Sequence, residues 1–161
     1  MLKNYQKRRM NNMNANMYNQ VKKFNSVAGN LDNVTPESVS NQLSFIFEEL
    51  QETIDALEAG DDEGLLDGCA DLFVTVAGLM QKLDYAGFAV GEAIGRVNEN
   101  NLSKFNSTGN FQPPNTNAVY NKQYDLFSFI NKDTGKIMKP TNFLSVDLEG
   151  LYVKGFLQGG V

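Results

Sequence analysis

Residues 62–83 place the hardest constraint on what this chain can fold into. From Leu65 to Met80 the run LLDGCADLFVTVAGLM carries only two charges, Asp67 and Asp71. Its length predicts a helix, and a helix apolar nearly all round is expected to be buried. Four residues apart, the two aspartates share one narrow face with Val74 and Gly78. Burying an unpaired carboxylate costs on the order of several kcal/mol, and two on one face also repel each other. That face must therefore reach solvent, pair with a lysine or arginine from elsewhere, or meet a cation. Basic residues are scarce nearby, which favours the cation.

The preceding segment carries a second set of acids. Thr35-Pro36-Glu37-Ser38 reads as a helix start, with Thr35 as cap and Pro36 at the first helical position. Ser38 stands where a full capping box has Glu. The helix is expected to run to about Ala59 and to stop at Gly60. Its apolar stripe is Leu43, Ile46, Phe47, Leu50, Ile54 and Leu57, an arc of about 100°. Glu48, Glu52 and Asp55 fall opposite the stripe. Glu49 falls between, near Phe45 and Ala56, where a carboxylate can point into a bundle. Gly60-Asp61-Asp62-Glu63 makes the turn, with Asp61 or Asp62 capping the next helix.

Composition narrows the chemistry. The chain has no histidine, which removes histidine-based acid–base catalysis, histidine-using triads and most zinc and di-iron sites. A metal site here must use oxygen ligands, which points to Mg²⁺ or Mn²⁺. Residues 32–71 hold 12 of the 19 acids and no Lys or Arg, whereas residues 1–24 hold six basic side chains and no acid. Solvated helices usually interleave both signs, so an acid block suits a site whose counter-charge arrives as a cation. On charge alone, an acidic solubilising surface is the simpler reading. The single cysteine, Cys69, excludes an intrachain disulfide. No apolar run approaches the roughly 20 residues of a membrane span, and the N-terminus lacks a signal-peptide centre, so a cytoplasmic protein is expected.

Residues 1–16 read as a flexible basic tail; so short a tail on an acidic protein gives no reason to expect nucleic-acid contact. A first helix is expected over roughly 16–28 and a fourth over roughly 86–104. The fourth ends in VNENNLSKF, where Lys104 either satisfies the helix dipole or contacts a phosphate; spacing alone leaves both open. After Phe105 the run NSTGNFQPPNTNAVYN reads as a linker or arm. Tyr124–Ile130 is strand-like, Asn131–Gly135 suits a hairpin turn before 136–138, and Leu144–Phe156 suits one more short turn or helix.

The order EELQET, acidic turn, LLDGCADLFVTVAGLM, VNENNLSKF resembles the all-α nucleoside triphosphate pyrophosphohydrolases. It is most similar to their MazG-like and phosphoribosyl-ATP-pyrophosphohydrolase-like branch, viral members included. The resemblance covers about residues 17–105 and implies an all-α fold, a four-helix MazG-like bundle, with 106–161 as an irregular C-terminal arm holding a short β-hairpin. It implies that Glu49, Glu52 and Asp71 bind Mg²⁺ (or Mn²⁺). Relatives carry an acid three positions before Asp71, where this chain has Gly68, and Asp67 is the substitute expected. Asn101 and Lys104 match the closing motif and would contact substrate phosphates; Asn98 falls where relatives often have His. Glu48 is the candidate to orient or deprotonate the attacking water.

The activity so implied is Mg²⁺-dependent hydrolysis of (deoxy)nucleoside triphosphates to monophosphate and pyrophosphate, for nucleotide-pool control or house-cleaning, by a homodimer or homotetramer. It would act in the host cytoplasm if virus-encoded. The alternatives are an inactive helical binding or regulatory module with the same bundle and, ranked lower for want of an EF-hand loop, a calcium-binding protein. Asn16, Phe24 and Asn41 are unranked candidates for contacting the base.

Overall fold

The computed structural model describes residues 16–159, so the expected basic tail, apart from Asn16, lies outside the described residues. The chain divides into two compact units, Met1–Val90 with Tyr152–Val161, and Gly91–Leu151.

In the first unit α1 covers 16–27, α2 is Pro36–Ala59 and α3 is Asp62–Tyr85. The helix boundaries follow the expected caps. Thr35 Oγ1 accepts from Ser38 N at 3.2 Å, and Thr35 N donates to Ser38 Oγ at 3.0 Å. Ser38 thus completes the capping box that the sequence reading denied it, because a serine hydroxyl reaches the cap N–H as a glutamate would. Gly60, at φ 69°, ends α2 in the left-handed conformation, and Asp61 Oδ1 accepts from Gly64 N at 3.0 Å to start α3.

This two-residue reversal, Gly60-Asp61, lays α3 back along α2. A Cβ on Gly64 would meet Ala56 Cβ at 3.2 Å, one on Gly68 would meet Thr53 Cα at 3.1 Å, and one on Gly78 would meet Gln42 Nε2 at 3.1 Å. The two helices therefore run antiparallel along a seam of small residues. α1 joins them through polar groups: Asn25 Nδ2 donates to Gln81 Oε1 at 3.0 Å, and Lys22 lies over the Tyr85 ring. Phe156, which opens the 3₁₀ turn Phe156–Gln158, packs edge-on to Phe88 with ring centroids 5.4 Å apart.

The burial expected of α3 is not met within the chain. Its buried residues are Gly68, Ala77, Gly78, Gln81 and Lys82, while Leu66, Phe73, Val74 and Val76 stay exposed. The α2 stripe is likewise open, with Phe47 and Leu57 more than 60% exposed. The seam uses the small face of α3, so its large side chains have no helix of the same unit to pack on.

The second unit holds α4 (Val90–Leu102) from its second residue, Gly91, onward, and three strands. The expected start at 86 is too early because Ala86 caps α3 and Gly87 turns the chain at φ 92°. β1 (Thr116–Asn121) pairs antiparallel with β2 (Leu126–Asn131), and β3 (Ile137–Met138) pairs antiparallel with β2. The arm thus carries the expected hairpin, β2–β3, which β1 extends into a three-stranded sheet. β1 lies where the sequence suggested a linker; its polar residues lack alternation, and pairing with β2 makes the strand. Phe129 on β2 is fully buried. The turn at Asn131–Gly135 forms as expected, with Asn131 Oδ1 accepting from Asp133 N and Thr134 N. Among the described residues no helix is long and apolar enough to cross a membrane.

Candidate metal and phosphate site

The small-residue seam brings the acids of two helices to one level. Gly68 pairs with Thr53, and Gln42 Nε2 donates to Thr75 O at 3.0 Å. Between these contacts Asp71 falls opposite Glu49. Both are half-buried, whereas Glu48, Glu52 and Asp67 are exposed. The Glu49 carboxyl is held above its ordinary pKa, first by burial and then by the charges of Asp71, Glu52, Glu48 and Asp67 in that order. The other four carboxylates singled out by sequence thus all bear on Glu49.

Nothing in the described residues compensates that group. The one ion pair there is Arg96–Glu92, on α4. The two hydroxyls nearest the acids bond back to the helix: Thr53 Oγ1 to Glu49 O at 2.7 Å, and Thr75 Oγ1 to Asp71 O at 2.9 Å. The carboxylates themselves accept no side-chain hydrogen bond among the described residues. Among the described residues no three of them converge closely enough to hold an ion as they stand. The donor set nevertheless fits a hard divalent cation: all oxygen, uncompensated, and for the three glutamates carried on flexible arms.

Gly68 has a local reason. A Cβ there would lie 2.5 Å from Thr53 Oγ1 and 3.1 Å from Thr53 Cα, so an acid cannot occupy the position without moving α2. Asp67 lies one position along, on the rim of a shallow cavity with Asp61 and Glu63.

Asn98, Asn101 and Lys104 lie in the second unit, at the end of α4 and just beyond it. Lys104 Nζ donates to Asn101 Oδ1 at 2.8 Å, so these two are held as a pair; Asn98 is exposed and makes no such contact.

Sequence reasoning passed over Lys82, Gln42, Asn30 and Asn33, which line a cavity with Asn41 in the helical unit. The available signal was spacing: Asp71, Thr75, Gly78 and Lys82 recur along one face of α3.

A model of the phosphoribosyl-ATP pyrophosphohydrolase family matches residues 24–87, a span containing the whole of α2 and α3 and all five carboxylates. No curated protein and no solved structure matches the chain.

Proposed function

We propose that this chain, which through residues 24–87 belongs to the MazG-like all-α nucleoside triphosphate pyrophosphohydrolase superfamily, cleaves the α–β phosphoanhydride bond of a nucleoside triphosphate. Water adds to the α-phosphorus, pyrophosphate leaves, and a nucleoside monophosphate remains. The observation that carries this reading is the set of carboxylates on α2 and α3, whose charges all bear on Glu49 and which have no ion-pair partner among the described residues.

Glu49, Glu52, Asp67 and Asp71 would hold Mg²⁺ or Mn²⁺, which when bound supplies positive charge against the triphosphate. Glu48, exposed and free of side-chain partners, would orient the attacking water and take its proton. Asn101 and Lys104 keep the phosphate role that their motif implies, and their mutual hydrogen bond pre-orients the ammonium. Asn98 is assigned beside them on sequence alone. A second copy of the chain would cover the open apolar face of α2, giving a homodimer or, by pairing of dimers, a homotetramer.

The test is pyrophosphate release from a panel of deoxynucleoside triphosphates with Mg²⁺. Release from at least one of them supports the reading, and no turnover by an ordered protein would sink it. A second reading, an inactive binding module, is favoured by Gly68 and by the absence of three converged carboxylates among the described residues. The same assay separates the two.

A further inference from the structure

We infer that the cavity between the α1–α2 loop and the first turns of α2, with Lys82 in its wall, is the nucleobase pocket of the proposed site and selects bases that carry a carbonyl oxygen rather than an amino group at pyrimidine C4 or purine C6. This rests on the pyrophosphohydrolase reading and adds a substrate class to it.

The cavity measures about 420 Å³ and lies wholly within the helical unit. Lys82 is only 7% exposed, yet no carboxylate among the described residues forms an ion pair with it. Its Nζ donates to Asn30 O at 2.7 Å, which leaves two of the three ammonium donors for something else. Burial lowers its pKa, the mark of a cation with little compensation. A fold has no stabilising use for a buried cation without an anion, so a ligand acceptor is the natural partner.

The rest of the wall is neutral. Asn33 and Asn41 make no side-chain hydrogen bond among the described residues, and Gln42 spends its amide N–H on Thr75 O while keeping its carbonyl oxygen. Carboxamides around one ammonium suit the mixed donor–acceptor edge of a heterocycle; a phosphate site would gather more cations. Phe45, about half exposed at the rim, offers a ring face for stacking. The Asn30 end is braced, since Asn30 Nδ2 donates to Asn25 Oδ1 and Asn25 in turn donates to Gln81.

Register joins the pocket to the acids. Asn41, Phe45, Glu48 and Glu52 are spaced by four, three and four residues and share one face of α2. Gln42 and Glu49 are seven residues apart, about 10 Å along the axis at 1.5 Å per residue, a nucleoside's length. A nucleotide lying along this face puts its base among the amides and its phosphates at the carboxylates. An ammonium only donates, so a ring carbonyl is accepted where an exocyclic amino group would set donor against donor.

The experiment measures kcat and KM of the full chain with Mg²⁺ for dUTP, dTTP, dGTP, dCTP and dATP, in the wild type, Asn41→Ala and Lys82→Met. Keto substrates are expected to lead by about tenfold or more in kcat/KM, carried mainly by KM. Asn41 is exposed, so Asn41→Ala folds; it should raise KM for the keto substrates about tenfold with kcat within about twofold. Lys82→Met should flatten the base ranking. A leading dCTP or dATP, or an unchanged KM and ranking in Asn41→Ala, overturns the assignment. If no triphosphate turns over, the hydrolase reading fails separately, and titration with deoxyuridine by NMR decides the pocket. Binding weakened in Asn41→Ala then supports it, and absence of binding overturns it.

Discussion

The inner and outer faces of the α2–α3 pair are built on opposite rules. Inside, the helices meet through Gly64, Gly68, Gly78, Thr53 and Gln42. Outside, Phe47, Leu50, Ile54, Leu57, Leu66 and Phe73 stand exposed. An ordinary helical pair hides its large apolar residues and shows its polar ones. Here the close approach is used to hold Glu49 and Asp71 opposite each other, and the apolar area is left for another surface. The inner face carries the proposed site, and the outer face is the exposed apolar surface proposed to meet a second copy.

Four substitutions would break or sharpen that contrast. The largest effect is expected inside. Asp71→Asn should cut pyrophosphate release by about 10²–10³-fold, and the rise in thermal midpoint expected for the wild type with Mg²⁺ should be lost. Circular dichroism should show helicity unchanged, and an active variant would mean that the ligand set is wrongly drawn. On the outer face, Phe47→Asp removes a large apolar contact from each copy and should weaken self-association by about 10²-fold in sedimentation. A chain already monomeric at 17.9 kDa before substitution would remove the interface from the comparison.

Returning to the seam, Gly68→Asp supplies the acid that the resemblance implies at this position but should cost about 1–3 kcal/mol by overpacking against Thr53. Chemical denaturation measures that loss. Adding Thr53→Ala removes the Oγ1 contact and should recover part of it, whereas full stability in Gly68→Asp alone would show that the seam is looser than drawn. The smallest effect belongs to the cap. Thr35→Ala should cost about 1 kcal/mol by removing the acceptor for Ser38 N, without altering base preference.

Much of this was legible beforehand because it is local. Thr35, Pro36, Gly60 and Asp61 act within a turn of chain, and they set the ends of α2 and the start of α3 as read. The carboxylates were legible for the same reason: periodicity puts Asp67 and Asp71 on one face, and the resemblance picks out Glu48, Glu49 and Glu52. Ser38 was misjudged only because a hydroxyl can do a carboxylate's work at that cap. β1 was missed because its residues become a strand by pairing with β2, a partner that local propensity does not reveal.

The sequence by itself determined the helices, their caps, the acid block and the resemblance that the family model matches over residues 24–87, since each depends on neighbours in the chain. Only the tertiary structure decided which face of α3 turns inward. Hydrophobic pattern pointed to the large residues, but antiparallel contact at the distance set by glycine favours the small ones. That choice explains Gly68, sets Asp71 against Glu49, and buries Lys82 beside the amides of residues forty to fifty positions earlier. A helical wheel gives the direction of each side chain. What stands opposite it depends on the packing distance and register of the two helices.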